Sequence, residues 1–351
     1  MSFKALFGVD LPIIQAPMAG VQGSALAIAV SNSGALGSLP AALLSPDSLR
    51  SELAAIRAGT NGPFNVNFFC HTPPIANADR EAAWRATLAP YYREFGLSAD
   101  ASSESSNRTP FSAEAAAVLE EFRPPVVSFH FGLPSPELIA RVRKFGCKIL
   151  SSATTVEEAL WLEARGVDAI IAQGFEAGGH RGMFLTHDVT TQIGTIALVR
   201  QILKAVSKPV VAAGGIADAK GVKAALELGA CGVQIGTAYL LCHEATTSEV
   251  HRAALKSDAA RHTALTNVFT GRPARSIVNR MVREIGPMNA AAPAFPLAGS
   301  AVAPLRAYEE KRGSSDFSPL WSGQNASACR EISARELTRE LAAEFQQDGR
   351  T

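Results

Sequence analysis

Eight short, almost uninterrupted apolar runs punctuate this chain, and amphipathic segments of helical period separate them. The runs are LPIIQAPM (11–18), ALGSLP (35–40), PFNVNFFC (63–70), VVSFHFG (126–132), CKILSSA (147–153), DAIIAQG (168–174), PVVAAGGI (209–216) and GVQIGTAYL (232–240). Runs this short and this continuous suit strands covered on both faces, because a half-exposed strand alternates apolar with polar residues. Between them, IGTIALVRQILKAVS repeats Ile196, Val199, Leu203 and Val206 at helical spacing. SPELIARVRKFG opens on a serine cap with proline in the first turn and stops at Gly146; TVEEALWLEARG stops at Gly166. Strand–helix alternation predicts an α/β fold with a parallel sheet, and eight repeats favour closure into a (β/α)8 TIM barrel over an open doubly wound sheet.

Such a barrel takes roughly 250 residues, and the chain has 351. Two stretches break the pattern. Residues 71–111 separate the third strand from its helix and contain Pro73-Pro74, Tyr91-Tyr92 and the serine-rich ASSESSN; a connection of that length carries function or local disorder. Residues 243–300 follow the eighth strand. They are expected to form a smaller, mostly helical domain over the C-terminal mouth of the barrel, which itself takes residues 1–242 and, with a C-terminal tail, 301–351. Hydrophobic residues are 47% and charged residues 19% of the chain, the profile of a soluble globular protein. A net charge of +1 offers no attraction for nucleic acid, and no run approaches the ~18 apolar residues of a membrane span. The opening MSFKALFGVD turns polar at once, without the apolar stretch of a secretory signal. Five cysteines, none in a CxxC pair, read as reduced thiols in a cytoplasmic protein with no zinc site.

Barrel enzymes bind their ligands at the C-terminal ends of the strands. Here the third strand ends in Asn65-Val-Asn67, the fourth in Ser128-Phe-His130 and the sixth in Gln173, followed by GFEAGGHRG. By the two-residue period of a strand, Asn65 and Asn67 point together, as do Ser128 and His130, into the barrel mouth; Val127, Phe129 and Phe131 face the helices. Any one of these polar groups is more often simply paired inside a core; their convergence on one rim points to a site. Gly214-Gly215 ends the seventh strand and Gly236-Thr237 the eighth. Glycine lets backbone N–H groups approach an anion, and these two loops are the recurrent phosphate site of the fold. Without a GxGxxG fingerprint, the ligand expected is a monophosphate. EAGGHRG places one imidazole on a glycine-rich loop, either mobile or drawn close to a ligand.

AQGFEAGGHRG, PVVAAGGI and VQIGTAYL resemble the nitronate monooxygenases, FMN-dependent barrel enzymes, and the likeness runs from LPIIQAPMAG to LWSGQ. FNVNFFCH, VSFHFGLP, SSATTVEEA and AQGFEAGGHRG are similar to the set that marks the class acting on propionate 3-nitronate. EAGGH, the glycine pair of the seventh strand and FTGRPAR also resemble FMN-dependent enoyl-acyl-carrier-protein and NADH:quinone reductases. The first resemblance implies oxidative denitrification: a nitronate gives one electron to FMN, forming an anionic semiquinone, and dioxygen completes the reaction. It also implies that Asn67, Gln173, Gly178, Gly214, Gly215, Gln234, Ile235, Gly236 and Thr237 contact FMN, with Met18 and Ala19 along the flavin edge through their backbone. His180 would be the catalytic histidine and His130 a second imidazole near the substrate. Tyr308 and Lys311, with Tyr91 and Tyr92, are candidates for the substrate pocket, and Lys311, Arg272 or Arg275 for a cation facing the anionic substrate. The partners implied are a small nitronate and dioxygen, and a homodimer is compatible with them. The rival readings are a nicotinamide-dependent enoyl or quinone reductase and a non-catalytic barrel that binds a phosphate ligand.

Overall fold

The computed structural model describes residues 2–98 and 108–344; the ASSESSN stretch lies outside them. All eight apolar runs contain strands. These are β1 (Ile13–Gln15), β2 (Gly37–Pro40), β3 (Phe64–Phe69), β4 (Val126–His130), β5 (Lys148–Ala153), β6 (Ala169–Gln173), β8 (Val210–Ala213) and β9 (Gly232–Ile235), with a two-residue strand β7 (Gly179–His180) between β6 and β8. The eight pair in parallel in the order β1-β9-β8-β6-β5-β4-β3-β2. The ring closes between the outermost two, where Gln15 N donates to Leu36 O at 3.0 Å and Leu36 N to Ile13 O at 2.9 Å. The fold is a (β/α)8 TIM barrel.

The strands are buried on both sides, as their unbroken apolar pattern requires. Inside the ring, Ile14, Leu36, Val126, Leu150, Ile171 and Val211 pack on Phe3, Leu6 and Phe7 of α1 (Phe3–Phe7), which plugs the N-terminal end. Outside it, Val66, Phe68, Val127, Phe129, Ile149 and Ile170 meet the barrel helices. Those are α2 (Ser24–Ser31), α3 (Pro46–Gly59), α5 (Ala113–Phe122), α6 (Pro136–Arg143), α7 (Val156–Ala164), α8 (Thr195–Ala205), α9 (Ala219–Glu227) and α13 (Ala334–Leu341). The eighth comes from the tail: α13 lies between α2 and α9 and is tied to the end of β9 by Tyr239 Oη and Thr338 Oγ1, 2.9 Å apart. Ser135 caps α6 through its hydroxyl, as its position before a proline suggests.

Two local expectations are corrected. In α8 the buried face is Leu198, Val199 and Ile202, while Ile196 is 68% exposed. The helix begins at Thr195, whose hydroxyl is held by Glu176, and that anchor rotates Ile196 outward. Phe131 does not share the face of Val127 and Phe129. Its φ of +71° ends the strand pairing, and its ring joins Phe69 and Phe295 above the barrel.

Above the C-terminal mouth sits a second core: Trp84, Leu88, Tyr91, Tyr92, Val268, Phe269, Met281, Val302, Leu305 and Phe317. It draws on α4 (Ala78–Glu94), a helix inside the 71–111 stretch, as well as on α11 (Arg280–Ile285) and α12 (Ala298–Lys311), and so extends beyond residues 243–300 on both sides. Ala254 and Leu255 of α10 (Glu249–Lys256) pack in a separate cluster with Leu240, Leu241, Ile277 and Leu320. The layer also contains a small antiparallel sheet of β10 (Thr263–Thr266), β11 (Ala274–Ile277) and β7. No helix among the described residues is long and apolar enough to cross a membrane.

The close fit of α2 on β2 gives a test. A Cβ on Gly37 would lie 2.1 Å from the carbonyl oxygen of Ala27 in α2. Gly37→Ala is expected to cost about 1–3 kcal/mol by overpacking, read as a lower urea midpoint at unchanged slope. An unchanged midpoint would mean that helix and strand do not meet there.

Candidate active site

The C-terminal ends of the strands and the second layer enclose one cavity of about 1270 Å³, counting the solvent at its mouth. Met18, Ala19, Asn67, His130, Gln173, Gly178, His180, Gly214, Gly215, Gln234, Gly236 and Thr237 all line it. Ile235 does not; its side chain turns outward into the helix-facing core, as its neighbour in an alternating strand must.

The segment after β6 is not a mobile loop. Arg181, 0% exposed, donates from Nη2 to Gln173 O and from Nη1 to Gly174 O, both at 2.7 Å, and from Nε to Gln192 Oε1 at 2.8 Å. Its guanidinium thereby closes the segment back on the strand it left. Burial pulls its pKa down to about 9, still charged at neutral pH. Gln173 reinforces the closure: Oε1 accepts Gly182 N at 2.7 Å and Nε2 donates to His180 O at 3.0 Å. Pairing of His180 with Ala274 and of Gly179 with Arg275 makes the tip a strand of the upper sheet. Gly178 has no room for a side chain, since a Cβ would stand 2.5 Å from Gly323 N.

His180 Nε2 lies 2.9 Å from Thr270 Oγ1. Its Nδ1 has no partner among the described residues, and the residue lines the cavity. The ring packs against Phe295 and Trp321, both at 5.2 Å between centroids. Burial, and then the charge of Arg108, hold His180 well below the ordinary imidazole value, so it is neutral. His130 is also neutral, pushed down to about 4 mainly by burial. Its Nε2–H donates to His180 O at 3.1 Å, which leaves Nδ1 to accept from Ser152 Oγ, also 3.1 Å away. His130 therefore holds the backbone of His180 in place.

Asn65 turns out to be interior: its amide donates to Ser38 Oγ at 3.0 Å and Ser128 Oγ at 2.9 Å. Asn67 donates to the same Ser128 hydroxyl but also reaches the cavity. Met18 N–H is spent on Gln22 Oε1 at 3.1 Å, whereas Ala19 N–H meets no acceptor among the described residues.

At the far end, Gly214 (φ +123°) and Gly215 (φ +72°) adopt conformations that side chains resist. The N–H groups of Gly214, Gly215 and Gly236 donate to no acceptor among the described residues. Gln234 Oε1 is buried without a partner. Unspent donors in a glycine-formed cradle, with the orphaned Gln234 amide oxygen lining the same cavity, fit a phosphate-bearing group that also carries a hydrogen-bond donor.

Several candidates lie elsewhere. Ala301, Leu305 and Tyr308 share the face of α12 that meets α4, so Tyr308 stacks on Phe95 (4.8 Å, 14°) and Lys311 stays exposed at the helix end. Tyr92 Oη donates to Ala301 O at 2.6 Å, and Tyr91 packs edge-on against Phe317. Arg275 is buried under the upper sheet, donating to Phe175 O at 3.0 Å. Arg272 lies over the Phe131 ring at 3.9 Å and donates to the Met183 carbonyl. Neither arginine lines the cavity. Arg108 does, along with Phe69, Ser152, His251, Trp321, Gly323 and Asn325. Sequence reading missed these because no local pattern links them to the strand ends; LWSGQ was the one available signal, and it marked kinship, not a site.

The nitronate monooxygenase family model matches residues 2–344. A nitronate monooxygenase of Paraburkholderia phytofirmans is 44% identical over 97% of this chain and 94% of its own. Among solved structures, the nitroalkane oxidase of Streptomyces ansochromogenes superposes with a TM-score of 0.90 at 40% identity, over 99% of this chain and 98% of that one. FabK of Thermotoga maritima superposes with a TM-score of 0.71 at 26% identity, over 99% and 97%.

The neutral imidazoles make stability depend on pH. The folded pKa of His130, about 4, lies below its ordinary value of 6.5, so between these values the unfolded chain binds more protons. Stability is complete above about pH 6.5 and falls as pH drops toward 4. His71 and His251, also pushed down to about 4 mainly by burial, act in the same direction. Urea unfolding between pH 7.5 and 5 should show a smaller loss for His130→Gln than for the parent. Equal slopes would mean that His130 protonates freely in the fold.

Proposed function

The chain belongs to the nitronate monooxygenase family, and on that premise we propose that it is an FMN-dependent enzyme that oxidatively denitrifies alkyl nitronates, propionate 3-nitronate among them, with dioxygen. The observation that carries the reading is the charge of the cavity wall. His180 is neutral and lines the cavity with Nδ1 unpartnered among the described residues, Arg108 supplies positive charge nearby, and no carboxylate stands among the described lining residues. Such a wall suits a substrate that arrives as an anion and needs no strong base to remove a proton.

The glycine cradle, Ala19, Asn67, Gln173 and Gln234 are the groups that would hold FMN. Bound there, it would supply acceptance of single electrons and reoxidation by dioxygen. The protein's own contribution is placement and electrostatics. Arg108 draws the nitronate into the cavity. With Thr270 donating to Nε2, His180 offers Nδ1–H to a nitro oxygen and stabilises the charge there as it shifts. Gln173 and His130 keep that imidazole from drifting by holding its backbone carbonyl. Phe69 and Trp321 line the cavity with apolar surface that limits water around the reacting atoms.

The purified protein should be yellow, release FMN and not FAD on denaturation, and consume oxygen with propionate 3-nitronate without a nicotinamide. A flavin that NADH or NADPH bleaches rapidly without air, combined with no nitronate turnover, would replace this reading with a reductase. His180→Ala should keep its FMN, because the cradle lies on other strands, while turnover falls on the order of a hundred- to thousandfold, the usual loss of a preorganised donor. Oxygen uptake at the parent rate would remove His180 from the mechanism.

A further inference from the structure

The chain from Ser322 to Asn325 runs across the glycine cradle. Gly323 N donates to Thr237 Oγ1 at 2.9 Å, Gln324 N to Glu176 O at 2.9 Å, and Asn325 Nδ2 to Gly215 O at 3.0 Å. The fit is close on both sides: Gly178 admits no Cβ because of Gly323 N, and a Cβ on Gly323 would lie 2.8 Å from Glu176 O. Neither Gly323 nor Asn325 belongs to the strand-end loops that build the phosphate site of this fold, yet both line the cavity.

These contacts fix the polarity of two side chains. Asn325 Oδ1 accepts from Ser327 N at 3.3 Å and from Ser327 Oγ at 2.6 Å. The amide is thereby oriented with its nitrogen toward Gly215. One N–H goes to Gly215 O; the second has no acceptor among the described residues. Thr237 is treated likewise. Its Oγ1 already accepts from Gly323, so its hydroxyl proton is left to donate. Both donors stand beside the unspent N–H groups of Gly214, Gly215 and Gly236. Arg108, the cation lining the cavity, acts on His180. The Asn325 amide, the Thr237 hydroxyl and the glycine N–H groups that border the cradle are all neutral donors, so each of them counts.

Resting on the FMN reading above, we infer that Asn325 is a phosphate ligand: its second amide N–H, with the Thr237 hydroxyl, completes the cradle that the glycines begin. The C-terminal segment thus determines that a flavin phosphate ester is held in preference to the free flavin alcohol.

Fluorescence titration of the full-length, flavin-depleted protein with FMN and with riboflavin tests this without any turnover. The parent should prefer FMN. Asn325→Leu should weaken FMN on the order of ten- to a hundredfold, the range for a hydrogen bond to a charged group, and leave riboflavin unchanged. Asn325→Asp, nearly the same shape, should weaken FMN at least as much by repulsion. Inorganic phosphate should compete with FMN and not with riboflavin, and lose affinity in both variants. If the variants weaken FMN and riboflavin alike, the residue only shapes the fold and the inference fails. If the parent prefers FMN and the variants keep that preference, the inference fails while the FMN reading stands. A parent that binds both flavins equally overturns the cradle and this inference together.

Discussion

A buried guanidinium holds the working half of this molecule together. Arg181 satisfies the last carbonyl of the sixth strand, the Gly174 carbonyl that follows it and the Gln192 side chain at once, so the chain that leaves the strand must return to it within eight residues. Leaving such a charge unpaired would be costly; with its donors matched to carbonyls already buried at a strand end, it becomes a clasp. His180 is the residue next to that clasp. Its position is inherited from Arg181 on one side and from the β7–β11 pairing on the other. Of the glycines around it, Gly178 serves close approach to the C-terminal segment, Gly182 close approach to His130 and Ser152, and Gly179 a positive φ.

The barrel and its upper layer are interdependent. The strand of the eighth unit ends at Ile235 and its helix begins at Ala334. Everything between them crosses the mouth before the ring of helices can close. Because α13 must dock between α2 and α9, the chain just before it is drawn over the ends of β6, β8 and β9, where Trp321, Gly323 and Asn325 meet the cavity. The insertion is thus anchored at both ends by the barrel and shaped in the middle by its own core around Trp84, Phe269 and Phe317.

The electrostatics follow from burial. Three imidazoles near the site, His71, His130 and His180, are neutral first because burial penalises the charged form, and then because the charge of Arg272 opposes theirs. His130 spends both ring nitrogens on structure, while His180 has only Nε2 bonded among the described residues. Two histidines that look equivalent as letters thus differ through their hydrogen bonds alone.

The sequence by itself determined the eight strands, their parallel order of use, and the polar and glycine residues at their C-terminal ends. Those features are local: burial on two faces forces continuous apolar runs, and βα turns of positive φ favour glycine. For the same reason Asn67, Gln173, Gly215 and His180 were legible one strand at a time. Local pattern misled where an anchor outside the segment set the geometry, as Glu176 does for α8 and as the positive φ of Phe131 does at the end of β4. Only the tertiary structure decided which cation and which distant chain complete the site. Arg108 lines the cavity where Lys311, Arg272 and Arg275 do not, and Trp321, Gly323 and Asn325 reach it from far beyond β9. No periodicity encodes such contacts, because they depend on how two cores pack against each other and not on how either one folds.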